Sequence, residues 1–311
     1  MEAPVITDLP NTTISKVSKA LIEIREQGGA VALGRVLTLV IQTGFNGIEP
    51  AIKAANESSR EHPSRIIVLA DDETATAGDD RLDAQIRVGG DAGASEVIVL
   101  RAYGQAASDP ESLVTGLLLP DAPVVAWWPD TAPAKPAESA IGRIATRRIT
   151  DAANQADCHA FLRSLAANYV PGDSDFAWTR LTLWRAQLAA ILDQPPYDPV
   201  LSAEVTGAID SPSTDLLAAW LNFKLQVPVN LIRTERGHEV HGIHGVKLLR
   251  ASGNIEIIRN SPDIATLNQP TQPTRDISLP RRNLRDCLSE DLRRLDPDDL
   301  FGRVLKANFT S

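Results

Sequence analysis

The chain has 311 residues, enough for about two domains of roughly 100–200 residues each and for a core that needs no staple. It is 43% hydrophobic and 23% charged, and its net charge of −9 leaves the parts before and after residue 170 both acidic, so neither offers the positive field that a nucleic-acid backbone requires. No window approaches 18 uncharged apolar residues, Cys158 and Cys287 make no secreted disulfide framework, and MEAPVITDLPNTT has no basic region followed by an apolar stretch; the expectation is a cytoplasmic chain without membrane or nucleic-acid partners.

Asn11 or Thr12 is placed to cap a helix whose apolar stripe is Ile14, Val17, Leu21 and Ile24, with Gly28-Gly29 as its stop. VALGRVLTLVIQT (31–43) reads as a long strand, a helix marked by Ile48, Ile52 and Ala55 follows, and SRIIVLA (64–70) is an apolar strand of the buried kind. DDETATAGDD (71–80) has no periodicity and reads as a loop. DAQIRVGG and SEVIVLRAYG form a hairpin around the glycine-rich turn 89–94. A short helix near 110–118 leads to the strand APVVAWWP (122–129), then a proline-rich loop over 129–136, and RRIT (147–150) is a further short strand. A helix over 154–169 carries Cys158, Phe161, Leu162, Leu165 and Tyr169 on one face.

PGDSD (171–175) has the composition of a linker. After it come a helix with Leu181, Trp184, Leu188 and Ile191, the strand EVTGAI (204–209), and a helix over 213–225. From 227 to 279 the period changes to two, as in an antiparallel meander. Two helices close the chain, the second with Asp296 as N-cap and Pro297 in its first turn. The expected fold is thus α/β followed by α+β: an N-terminal α/β domain over 1–172 with a mixed sheet and helices, and a C-terminal domain over 173–311 with helices and an antiparallel meander.

The residues that carry chemistry give few motifs. His238, His241 and His244 suggest a metal site, but alternation along a strand turns His241 away from the other two, so solvated strand histidines are the simpler reading. Gly89-Gly90-Asp91-Ala92-Gly93 is followed by a strand rather than a helix, which fits a hairpin connection better than a phosphate cradle. The cysteines fall on apolar helix stripes, as inert core thiols do. Trp127-Trp128 end an apolar strand, where α/β sheets place their ligands, and Arg143, Arg147 and Arg148 follow; these five are the candidate partner-binding residues. Ser58, Ser59, Arg60 and Arg65 form a weaker candidate anion site. No nucleophile, base and orienter assemble at a diagnostic spacing, and no catalytic residue, metal or cofactor is assigned.

Several long blocks together resemble a known family. GGAVALGRVLTLVI (28–41), AANESSREHPSRIIVL (54–69), LDAQIRVGGDAGASEVIVLRAYG (82–104), LLLPDAPVVAWWP (117–129), IGRIATRRITDA (141–152), HGIHGVKLLRASGNIEIIRN (241–260) and LPRRNLRDCLSEDLRRLDPDDLF (279–301) are similar, in colinear order, to the glucose-6-phosphate dehydrogenase assembly proteins (OpcA) of actinobacterial type. The resemblance implies a non-catalytic partner of glucose-6-phosphate dehydrogenase that promotes its assembly and activity in the oxidative pentose phosphate pathway. In the cyanobacterial branch of the family an activator responds to thioredoxin, a property not carried over to Cys158 and Cys287. The rival readings are a sugar-phosphate-binding sensor or enzyme gripping its phosphate with Arg147 and Arg148, and a metal-dependent hydrolase built on the histidines.

Overall fold

The computed structural model describes residues 5–27, 36–71, 80–89, 96–235 and 242–310. In chain order, β1 (Val5–Leu9) and α1 (Ile14–Gln27) precede the crossover of β2 (Leu37–Gly44), α2 (Ile48–Ser58) and β3 (Ser64–Asp71). Next come β4 (Arg81–Val88), β5 (Glu96–Tyr103), α3 (Pro110–Thr115), β6 (Val124–Trp127), α4 (Ala140–Ile144) and β7 (Arg147–Thr150). They are followed by α5 (Cys158–Asn168), β8 (Asp173–Asp175), α6 (Phe176–Thr179), α7 (Thr182–Leu192), β9 (Ser202–Ala208), α8 (Pro212–Leu225) and β10 (Val229–Thr234). The chain closes with β11 (Ile243–Leu249), β12 (Ile255–Arg259), β13 (Ile264–Asn268), β14 (Arg275–Ser278), α9 (Leu284–Arg293) and α10 (Asp299–Phe309).

Two compact units result. The first comprises Met1–Asp151, Gly172–Ser174 and Leu284–Pro297; the second comprises Ala152–Pro171, Asp175–Asn283 and Asp298–Ser311. The helix expected over 154–169 therefore clusters with the second unit, and α9 with the first. The stretch read as a linker is corrected: Asp173, Ser174 and Asp175 are buried and form β8 at one edge of an eight-stranded sheet.

That sheet has the order β1-β4-β5-β3-β2-β6-β7-β8. The apolar runs of β2, β3, β5 and β6 pair in parallel, as strands covered on both faces do. β7 continues the parallel set beside β6, while β4 and β1 add an antiparallel edge. The β4–β5 pairing realises the expected hairpin; its turn lies outside the described residues, as do the segment 31–35 and most of 71–80. β1 was not legible, because VITDL is short and its residues are half-buried or exposed. One face of the sheet packs Val40, Ile67, Ile86, Ile98 and Trp128 against Val17 and Leu21 of α1, Val114 of α3 and Ile141 of α4. On α1 the capping oxygen belongs to Thr13, whose Oγ1 accepts from Lys16 N at 3.4 Å, one residue beyond the expected cap.

The second unit holds a six-stranded sheet in the order β10-β9-β11-β12-β13-β14. β11 to β14 form the expected antiparallel meander. β10 departs from it and pairs in parallel with β9, because the connection between them is helix α8, a crossover that brings the chain back in the same direction. The expected period of two holds on the buried side: Ala203, Val205, Val246, Leu248, Ile255, Ile257, Ala265 and Leu267 are each 2% exposed or less. Asp298, not Asp296, caps α10; its Oδ1 accepts from Phe301 N at 3.1 Å and its Oδ2 from Trp178 Nε1 at 2.8 Å.

Candidate functional site

The parallel strands place β2 and β6 side by side with their crossovers running in opposite directions, the switch point at which doubly wound sheets hold ligands. A cavity of about 480 Å³ opens there, lined by Gln42, Thr43, Trp128, Asp130 and the segment that follows. Its polar groups are occupied with one another. Trp128 Nε1 donates to Gln42 Oε1 at 3.0 Å, and Thr43 Oγ1 donates to the Asp130 carboxylate. At Gly47, just before α2, a Cβ would overlap both Thr43 Oγ1 and Asp130 Oδ2, so a larger residue would have to displace this hydrogen-bonded pair. Dinucleotide sites put a pyrophosphate against this helix N-terminus. Here Asp130 and, in the first turn of α2, Glu49 put carboxylates in that neighbourhood. The Glu49 carboxyl is held below its ordinary value, chiefly by its hydrogen bonds from Arg87.

The candidate partner-binding residues are not assembled into a surface. Trp127 is fully buried and Trp128 is 2% exposed: neighbours on a strand point to opposite faces, and both faces of this sheet are covered. Arg147 and Arg148 diverge for the same reason and are likewise buried. Arg147 is paired with Asp291 of α9 and donates to Ser174 Oγ and Asp296 O, both at 3.1 Å. Arg148 donates to Asp173 Oδ1 at 2.5 Å and to Ala145 O at 2.8 Å. Of the five, Arg143 is at the surface, donating to Glu111 and to Glu138 O, each at 3.0 Å.

The anion candidates are also interior groups, Arg60 excepted. The Ser58 and Ser59 hydroxyls donate back to Ala55 O at 2.9 Å and Asn56 O at 2.8 Å. Arg65 is bound to Glu96 at 2.8 Å and to Leu117 O, and Glu96 also accepts from Arg25. A carboxylate thus stands where the anion was expected. Of the three histidines, His238 and His241 lie outside the described residues. His244 faces Thr234 Oγ1 at 3.4 Å, and burial pushes its pKa down. Among the described residues no three His, Cys, Asp or Glu side chains are placed to hold a metal ion. Cys158 and Cys287 are not disulfide-bonded, each buried in its own unit, and burial raises the Cys158 pKa.

A second cavity, of about 460 Å³, escaped the motif scan and lies in the second unit. His159 on the first turn of α5, Asp215 on the first turn of α8 and Arg233 on β10 meet at its wall. His159 Nδ1 is 2.5 Å from Asp215 Oδ2, and Arg233 Nη2 donates to Asp215 Oδ1 at 2.8 Å. Ile209 O, 2.9 Å from His159 Nε2, can only accept, so Nε2 carries a hydrogen and Nδ1 is the ring nitrogen turned to the carboxylate. Burial raises the Asp215 pKa, with Arg233 and His159 opposing it. The rest of the lining brings Arg163, Asn222 and Asn308, and no hydroxyl or thiol among the described residues, so the pair stands there without a nucleophile beside it. The signal missed in the sequence was one acid in the first turn of an otherwise apolar helix.

Residues 55–167 match the family model of the glucose-6-phosphate dehydrogenase subunit N-terminal domain, and residues 171–305 match that of its C-terminal domain. No curated protein matches the chain. Solved structures found similar to the chain include an oxidoreductase from Sinorhizobium meliloti, 8% identical over 88% of this chain and 95% of that one, with a TM-score of 0.49. Biliverdin reductase from Synechocystis is 11% identical over 89% and 98% of the two chains at a TM-score of 0.47. Levoglucosan dehydrogenase is 11% identical over 88% and 91% at 0.43. None of these likenesses bears on activity. Both family models match in order and together span most of the sequence: the chain belongs to the OpcA family of glucose-6-phosphate dehydrogenase assembly subunits.

Proposed function

We propose that this chain is a non-catalytic, cytoplasmic partner of glucose-6-phosphate dehydrogenase that binds the enzyme's active oligomer and raises its activity. The observation that carries the reading is the colinear match of both assembly-subunit domains over 55–167 and 171–305. The switch point supports it. Side chains that hydrogen-bond one another, with Asp130 and Glu49 beside the α2 N-terminus, suit a scaffold better than a site for an anionic cofactor. Two cysteines outside any disulfide fit a reducing compartment.

The physical mechanism is differential affinity. A partner that binds one oligomeric state more tightly shifts the population towards it, and a tenfold shift needs about 1.4 kcal/mol of coupling. No helix among the described residues is long and apolar enough to cross a membrane. Docking is not assigned to Trp127 and Trp128, which are interior; Arg143 is the member of the expected set that a partner can reach. The rival sensor reading loses its phosphate grip, because Arg147 and Arg148 are already bound to Asp291 and Asp173.

The test is turnover of glucose-6-phosphate dehydrogenase from the same organism with and without the purified chain, alongside size-exclusion of the mixture. Raised turnover with co-elution is expected. Unchanged turnover without co-elution, with an enzyme fully active alone, overturns the proposal.

A further inference from the structure

A third cavity, of about 290 Å³, lies in the second unit at the N-terminal end of α8. Its lining brings together Arg180, Arg259, Arg281 and Arg282, with Asp210 as the one carboxylate among the described residues there. In a chain of net charge −9, four guanidinium groups around one small cleft are a marked local excess of positive charge.

The cleft is built by four separate elements. Arg180 ends the short helix α6, its backbone N–H bonded to Phe176 O at 2.9 Å. Arg259 is the last residue of β12. Arg281 and Arg282 follow β14, where Arg281 N donates to Pro262 O and Arg282 Nη1 to Thr179 O, each at 2.9 Å. Ser211 caps α8 by accepting from Thr214 N, so the positive end of a 14-residue helix meets the same space.

The guanidinium groups of Arg259 and Arg281 form no ion pair among the described residues, which separates them from the buried arginines of the first unit. Arg259 Nη1 donates to Pro262 O at 2.9 Å and its Cζ lies 5.3 Å from the Trp184 ring centroid, while its buried Nε has no hydrogen-bond partner. Burial, with the charge of Arg281 behind it, pushes the Arg259 pKa down to about 10; Asp263 opposes this. Partial burial holds Arg281 below its ordinary value, and burial together with Arg281 pushes His244 the same way. Three basic groups are thus shifted in the sense that uncompensated positive charge requires. The missing counter-charge is what a bound anion would supply.

We infer that this cleft binds a small phosphate-bearing molecule, of monosaccharide-phosphate size or smaller, with the phosphate gripped by the arginines at the α8 N-terminus. The volume sets the size limit, since it stands at the lower end of the roughly 300–1,000 Å³ of small-molecule pockets and is too small for a dinucleotide. Phosphate is favoured over a carboxylate because several guanidinium groups can each meet a different oxygen of a tetrahedral dianion. The inference stands on the second unit alone and does not depend on the assembly reading.

Isothermal titration of the full chain tests it, with inorganic phosphate, glucose 6-phosphate and uncharged glucose as probes at matched ionic strength. Glucose 6-phosphate and phosphate are expected to bind one to one, the ester more tightly, and glucose not at all. Arg281→Glu is expected to weaken both phosphates at least tenfold while the melting temperature without ligand is unchanged, and Lys19→Glu, an exposed change of the same charge in the first unit, to leave binding intact. Arg281→Ala, losing binding by a smaller factor, separates a lost contact from an added repulsion. The inference is overturned if neither phosphate binds at millimolar concentration, or if Arg281→Glu binds as the parent does. Binding of inorganic phosphate without the ester overturns the ester assignment. Phosphates without effect, with Arg281→Glu instead abolishing co-elution with the dehydrogenase, would make the cleft a seat for an acidic protein segment and overturn the small-ligand inference.

Discussion

Two sets of arginines in one chain meet opposite conditions. Arg147 and Arg148 are each 6% exposed, and each is paired with an aspartate, Asp291 and Asp173 respectively, with main-chain carbonyls taking further N–H groups. Arg180, Arg259, Arg281 and Arg282 line an open cleft in which Asp210 is the one carboxylate among the described residues. The first set is interior structure, with its charge cancelled where it stands. In the second, Arg259 and Arg281 form no ion pair among the described residues, and their charge is left to water and any bound anion. What separates a structural arginine from a binding one is therefore its ratio to nearby carboxylates, not its presence at a strand end. Asp215 is the intermediate case, a single carboxylate shared by Arg233 and His159 beside a cavity.

That contrast is broken most directly at Asp291. Asp291→Ala strands the buried Arg147 guanidinium and removes the acceptor of the Ser174 hydroxyl, so unfolding in denaturant should show a loss of about 3–5 kcal/mol. A loss below 1 kcal/mol, the range of exposed pairs, would put the pair with the surface bridges and erase the distinction. Asp215→Asn sharpens the intermediate case. The Asp215 pKa is raised in the folded state, so the folded protein binds this proton more tightly than the unfolded chain. Stability from this group is greatest below its unfolded value, about 3.9, and falls as pH rises through the higher folded value. The stability of the parent relative to Asp215→Asn should therefore decline with rising pH from that point, and a flat difference would show that the carboxylate is not desolvated.

The smallest effect belongs to the cleft. Arg281 is the exposed member of the four, and Arg281→Ala should change the unfolding free energy by no more than about 0.5 kcal/mol in phosphate-free buffer, since it removes repulsion from Arg259 along with any packing. A loss comparable with that of Asp291→Ala would make the cleft arginines structural as well.

Much of the fold was legible because its signals are local. The apolar runs at 64–70 and 122–129 are parallel strands buried on both faces, and the alternation from 243 onward is a meander. The parallel pairing of β10 with β9 was not, since period two is the same for either direction and the crossover by α8 decides between them. The candidate site was less legible still. Trp127, Trp128, Arg147 and Arg148 were singled out by residue type and by their place at strand ends. Whether such side chains meet solvent depends on helices contributed by distant segments, of which α9, carrying Asp291, comes more than a hundred residues later.

By itself, then, the sequence determined the element types, the change from α/β to sheet-rich patterning and, through its long similar blocks, the family. These follow from periodicities of 2 and 3.6 residues and from colinear identity, which need no knowledge of what packs where. Only the tertiary structure decided which charges are cancelled. An arginine's role is set by what lies within a few ångströms of its guanidinium. The groups that decide that counter-charge here, Asp291 beside Arg147 and the approach of Arg281 to Arg259, are separated in the chain and are brought together by folding.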